Sequence, residues 1–97
     1  MAPFTKIFSS AKCISYGKHF YKDWKHLQHD AYRQKFIYII PAFIKNPTDK
    51  QFRNHELRGI FNGLRSINIT GDIRAIYTYS EGGYIFLRIG THSHLYG

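Results

Sequence analysis

The sequence predicts an α+β domain: a short N-terminal strand, a helical hairpin, then a three-stranded antiparallel meander forming a twisted sheet with the helices on one face. Three observations predict it. Residues 18–44 repeat apolar side chains three and four apart, the spacing of an amphipathic helix. From Arg65 onward apolar and polar residues alternate, the spacing of a strand. Asn46-Pro47 separates the two regimes as a firm stop.

Residues 1–12 show no clear period and read as a loose arm of a single domain spanning residues 1–97. Residues 12–16 read as the first strand, broken at Gly17. Over residues 18–28, Phe20, Tyr21, Trp24 and Leu27 form one face, with Lys18, Lys22 and Lys25 on the other. Asp30 reads as the N-cap of a second helix whose face is Phe36, Ile37, Ile40 and Ile44. Pro41 lacks an N–H and crowds the carbonyl four residues back, so it should kink that helix or end it early. Gly59 and Gly63 flank a short loop. Residues 65–69, 72–80 and 84–89 then read as strands, with turns at Thr70-Gly71 and Glu81-Gly82-Gly83. The face of the sheet away from the helices is left free to bind.

Composition narrows the function. The chain has 97 residues and a net charge of +8, which calls for an anionic partner: nucleic acid, an anionic membrane or an acidic protein. Residues 1–50 hold nine basic and three acidic residues, net +6, and include all eight lysines. Residues 51–97 hold five arginines against three acidic residues, net +2. Lysine is a flexible point charge and arginine a planar fork that fits phosphate. A lone Cys13 excludes an internal disulfide framework and a Cys-based zinc finger, and makes a reducing, cytoplasmic setting the expectation. No apolar run is long enough to span a membrane, and the first residues carry no secretory h-region.

The tail Arg88-Ile89-Gly90-Thr91-His92-Ser93-His94-Leu95-Tyr96 carries a resemblance. Asn54-His55-Glu56-Leu57-Arg58-Gly59, Gly63-Leu64-Arg65 and Gly71-Asp72-Ile73-Arg74-Ala75-Ile76-Tyr77 precede it in order. Together they resemble the YafQ-like branch of the RelE superfamily of bacterial toxins, over roughly residues 53–96. The resemblance implies a RelE-like fold and a metal-independent endoribonuclease, without cofactor, that cuts mRNA in the ribosomal A site. It also implies an acidic antitoxin as partner, with higher-order assembly of the pair.

RNA carries its own nucleophile, the 2′-OH. Cutting it requires a base, cationic help at phosphorus and an acid for the leaving oxygen. Histidine suits the proton transfers and arginine the phosphate. By the resemblance, His55 and His92 are the catalytic histidines, and Asp72 orients a histidine or shares the proton. Arg74 and Arg65 hold phosphate, Arg88 joins them from the last strand, and Tyr96 stacks on a base. Arg65 is read equally well as a structural ion-pair partner of Asp72. Two departures from the family pattern stand out: Asn68 occupies the place of a second histidine, and Ile73 that of an aromatic. Asn68 cannot titrate, so the proton transfers fall on His55, leaning to base, and His92, leaning to acid.

Other readings of the same residues compete. His92 with His94, or His26 with His29, would each supply half a metal site, but no matching carboxylate pair lies nearby and no metal is expected. The helix bearing Lys18, Lys22 and Lys25 could lie on a membrane, but its apolar face is needed by the sheet. A non-catalytic basic RNA- or protein-binding module is the main alternative to an enzyme.

Overall fold

In a computed structural model, which describes residues 7–9, 12–80 and 82–97, the helical hairpin forms where the spacing predicts it. Helix α1 spans Lys18–His26 and α2 spans Asp30–Lys45. Arg33, the only arginine of the first half, closes the hairpin. Its guanidinium donates to the carbonyls of Trp24 at 2.9 Å, Leu27 at 2.9 Å and Lys25 at 3.2 Å, which satisfies the open C-terminal carbonyls of α1. Asp30 is the first residue of α2 and His29 its N-cap, so the carboxylate acts on the helix dipole and on Arg33 rather than as a cap.

Pro41 does not end α2, which runs through it to Lys45 before stopping at Asn46. The carbonyl that Pro41 leaves without a donor belongs to Ile37, which is 46% exposed, so water can satisfy it. The buried face of α2 is Phe36, Ile39, Ile40, Phe43 and Ile44, one step rotated from the predicted stripe.

Among the described residues the sheet has six strands in the order β1-β2-β6-β5-β4-β3. The predicted meander is present as β4 (Arg65–Asn68), β5 (Ile73–Ser80) and β6 (Gly83–Thr91). Glu81, in the predicted β5–β6 turn, lies outside the described residues. Strand β2 (Lys12–Tyr16) pairs parallel with β6, so the helical hairpin begins the crossover that brings the chain back beside it. Two strands and a helix are additional among the described residues, beside two short 3₁₀ turns. Ile7–Ser9 forms β1, antiparallel to β2, so this part of the expected arm is strand; residues 1–6, 10 and 11 lie outside the described set. His55–Glu56 forms β3 on the edge of β4. His92–Tyr96 forms a closing turn of helix, α3.

Register and alternation divide the sheet. Ile67, Ile73, Ala75, Tyr77, Phe86 and Ile89 face α1 and α2 and join their core, where Phe36 meets Phe86 edge-on at 5.3 Å and Phe43 meets Tyr84 at 5.1 Å. The opposite face is only partly open. Leu57, Ile76 and Leu95 bury one another there, flanked by Phe61, Leu64 and Tyr96. The remainder of that face carries the candidate site. No helix among the described residues is long and apolar enough to cross a membrane.

Candidate active site

The strand register assembles the site from distant parts of the chain. Asn68 of β4 pairs with Arg74 of β5, which pairs with Gly90 of β6. Two residues along β4 on the same face, Ser66 pairs with His55 of β3. Arg53, His55, Asn68, Gly71 and Arg74 line an open cleft of about 490 Å³. Of the site residues named from the resemblance, His55 and Arg74 line this cleft, beside Arg53, Gly71 and the departing Asn68.

His55 is held by its own loop. A short 3₁₀ turn, Lys50–Phe52, ends at Arg53 in the left-handed conformation, φ 47° and ψ 45°. That reversal turns the Arg53 carbonyl back to His55 Nδ1 at 2.7 Å. A carbonyl only accepts, so Nδ1 carries the hydrogen in the neutral ring and Nε2 is left with its lone pair. Between these residues Asn54 is fully engaged. Its Nδ2 donates to the Pro47 carbonyl at 3.0 Å and to the Tyr77 hydroxyl at 2.7 Å, and its Oδ1 accepts from Arg65 Nε at 2.7 Å.

Arg65 therefore serves the loop and lies outside the cleft. Its register partner is Tyr77, a core residue, so it stands on the helix-facing side of the sheet, and its partner is Asn54 rather than Asp72. The side chains of Arg74 and Asn68 make no hydrogen bond or ion pair among the described residues, and both remain available to a ligand in the cleft. Asp72 is exposed in the β4–β5 turn, where its N–H donates to Thr70 Oγ1 at 3.1 Å; it precedes β5 and does not line the cleft.

His92 opens α3 immediately after Thr91, whose hydroxyl caps the turn by accepting from the His94 N–H at 3.1 Å. The exposed His92 ring lies 4.6 Å from the Tyr96 ring, and Tyr96 packs edge-on against Phe61 at 5.3 Å. His92 lies two residues beyond Gly90, the register partner of Arg74. It sits at the margin of the site and not among the residues lining the cleft.

Arg88 goes elsewhere. Where β2 stops pairing with β6, α1 takes over the strand edge. Gly17 N–H donates to the Phe86 carbonyl at 2.8 Å, and the Ile89 N–H donates to Asp23 Oδ2 at 3.0 Å. Arg88 grips the same carboxylate with Nε at 2.6 Å and Nη2 at 3.2 Å. His94 completes the set, its Nε2 donating to Asp23 Oδ1 at 3.1 Å. Burial alone would raise the Asp23 pKa, but the hydrogen bonds from Arg88, the Ile89 N–H and His94 outweigh it and hold the carboxyl below its ordinary value. The predicted phosphate role of Arg88 is displaced by this ion pair. The histidine pairs also part company: His94 binds Asp23, while His26 Nδ1 donates to the Lys22 carbonyl at 2.8 Å.

Sequence reasoning missed Arg53 and Asp23. Arg53 stood one residue before the recognised Asn54-His55 string, and its left-handed backbone has no side-chain signature. Asp23 did carry a signal: it falls between Phe20 and Trp24, on the face the helix buries.

Known proteins show what this chain is similar to. The profile of a family described as a bacterial toxin of a type II toxin–antitoxin system, YafQ, matches residues 12–97. The crystal structure of YafQ from E. coli strain BL21(DE3) is 28% identical, covering 89% of this chain and 99% of that one, with a TM-score of 0.74. The E. coli DinJ-YafQ toxin–antitoxin complex is 27% identical, covering 91% and 100%, with a TM-score of 0.72. A conserved Helicobacter pylori protein solved in solution is 27% identical, covering 90% and 100%, with a TM-score of 0.65. No curated protein sequence matches at a significant level. With the match running from the first strand of the crossover to the last residue, the chain belongs to the YafQ family of bacterial type II toxin–antitoxin toxins.

Proposed function

We propose that this toxin is a metal-independent endoribonuclease that cuts mRNA on the ribosome and so arrests translation in the cytoplasm. The observation that carries the reading is the orientation of His55: Nδ1 is committed to the Arg53 carbonyl, and the ring is presented to a cleft flanked by Arg53 and Arg74. His55 Nε2 takes the proton of a 2′-OH. The 2′ oxygen bonds to the adjacent phosphorus, the bond from phosphorus to the 5′ oxygen breaks, and His92 supplies the proton to that oxygen. The products are a 2′,3′-cyclic phosphate and a 5′-OH. Arg53 and Arg74 offset the charge that builds on the phosphate oxygens. Asn68 donates to the same group or to a base, since it cannot titrate. Tyr96, stacked beside His92, offers an aromatic face for a base, and Asp72 stands in the neighbouring turn to orient His92. By analogy with the E. coli relative solved with DinJ, the partner is an antitoxin, acidic where it meets this surface, in a higher-order complex.

Controlled expression in a bacterium, beside His55→Ala and His92→Ala, tests the reading. The native chain should arrest growth and leave new in-frame mRNA ends bearing cyclic phosphates, insensitive to chelator in vitro. Each variant should lose about 10²–10⁴-fold in rate while still binding RNA. Full toxicity in both variants would favour the non-catalytic binding module.

A further inference from the structure

We infer that Asp23 and His94 are positioning residues: their hydrogen bond ties the C-terminal turn α3 to α1 and so places His92 for proton transfer. The inference rests on the reading of His92 as a proton donor.

Helix α3 is five residues long, one turn and a half, too short to persist on its own hydrogen bonds. It keeps its place through side chains. On one side Leu95 is buried against Leu57 and Ile76, with Tyr96 against Phe61 in the same apolar cluster, and on another His94 reaches Asp23. The two anchors leave His92 exposed at the head of the turn. Either anchor alone would leave α3 free to rock about the other.

The Asp23 end is built to be rigid. Its side chain is 6% exposed although it sits on the buried face of α1, where an apolar residue would pack at less cost. Each carboxylate oxygen accepts two hydrogen bonds: Oδ2 from Arg88 Nε and the Ile89 N–H, Oδ1 from Arg88 Nη2 and His94. The acceptor is therefore fixed by β6 before His94 arrives, and its capacity is filled when His94 binds. Gly90 admits the ring: a Cβ there would stand 2.8 Å from His94 Cδ2 and 3.4 Å from Cγ. His94 is thus seated between a bare stretch of β6 and a preset carboxylate, two residues from His92. Proton transfer tolerates little misplacement, and a shift of about 1 Å is enough to lower a rate 10²-fold.

The test uses the full-length toxin, with cleavage of mRNA on ribosomes and amide hydrogen exchange measured together. In His94→Ala, kcat should fall about 10–100-fold with KM unchanged. The amides of α3 should exchange faster while those of β5 stay protected. His94→Gln, which keeps an N–H donor, should restore part of both, and Gly90→Ala, which expels the ring, should reproduce the loss. His26→Ala, at a residue that lines a pocket with Asp23 and His94 but bonds to the Lys22 carbonyl, should match the native protein. Unchanged α3 exchange in His94→Ala overturns the tie, as does an equal loss in His26→Ala. Faster α3 exchange with native kcat, where His92→Ala is inactive, overturns the positioning role while leaving the catalytic reading intact. A fully active His92→Ala overturns the catalytic reading, and the positioning role falls with it, whereas the exchange data still decide the tie.

Discussion

At the scale of single residues, Asn54 and Asp23 do comparable work at different parts of the sheet. Each is polar, and each is held by hydrogen bonds to partners from other segments. Asn54 joins Pro47, Tyr77 and Arg65 behind His55; Asp23 joins Arg88, Ile89 and His94 behind His92. Such groups are specific because a missing partner leaves a buried atom unsatisfied. The lowered Asp23 pKa gives its site a pH signature. A carboxyl whose folded pKa lies below its unfolded value contributes stability above the unfolded value, and loses it as pH falls through the folded one. The urea midpoint of the native protein should exceed that of Asp23→Asn by an amount worth about 1–3 kcal/mol at neutral pH. The gap should close as pH drops below the ordinary value of 3.8. A gap unchanged down to pH 2 would refute the ionic role.

At the scale of elements, α2 shows how tertiary packing overrides a local preference. Pro41 removes one helix hydrogen bond, but Phe36, Ile39, Ile40, Phe43 and Ile44 are buried on both sides of it, and their burial holds both halves on the sheet. The cost of the proline remains in the balance. Pro41 is exposed, so Pro41→Ala should restore the bond without opening a cavity and raise stability by about 1–3 kcal/mol, read from the urea midpoint. A loss of stability would mean that the chain bends at Pro41 to pack. In β6, the shift of register after Phe86 has the opposite sense: it is a local irregularity that the fold uses. Ile76 faces Arg88 while Tyr77 faces Phe86, and past that point the strand edge is given to α1 instead of β2.

At the scale of the molecule, the charge has two locations. Lys18, Lys22, Lys25 and Lys45 are exposed on the helices, which pack on the sheet face opposite the cleft, while Lys35 stands near Asn68 and Gly71 at the cleft's margin. Arg53 and Arg74 are the arginines lining the cleft. Long-range attraction and local phosphate recognition are therefore separable. Replacing Lys18, Lys22 and Lys25 with alanine should weaken ribosome binding and reduce the slope of log K against log salt by about 2, since each phosphate contact contributes about 0.7–0.9. The rate at saturating substrate should not change. A fall in that saturated rate would place α1 at the reaction centre.

The sequence by itself determined the α+β class, the helical hairpin and the antiparallel meander, and it marked His55 and His92 as motif positions. Periodicity and turn residues record which side of an element is apolar and where it stops, and both survive in one dimension. The pairing of His55 with Ser66, and of Arg74 with Asn68 and Gly90, required the register of β3 through β6, which no single strand encodes. The tertiary structure alone decided that β2 lies parallel to β6, that Arg65 and Arg88 serve scaffold bonds, and that Arg53 enters the cleft through a left-handed turn. It also decided the link between Asp23 and His94, 71 residues apart in the chain. The physical reason is that a polar side chain's role depends on the partner it meets. That partner is chosen by the packing of whole elements, where chain separation leaves no periodic trace.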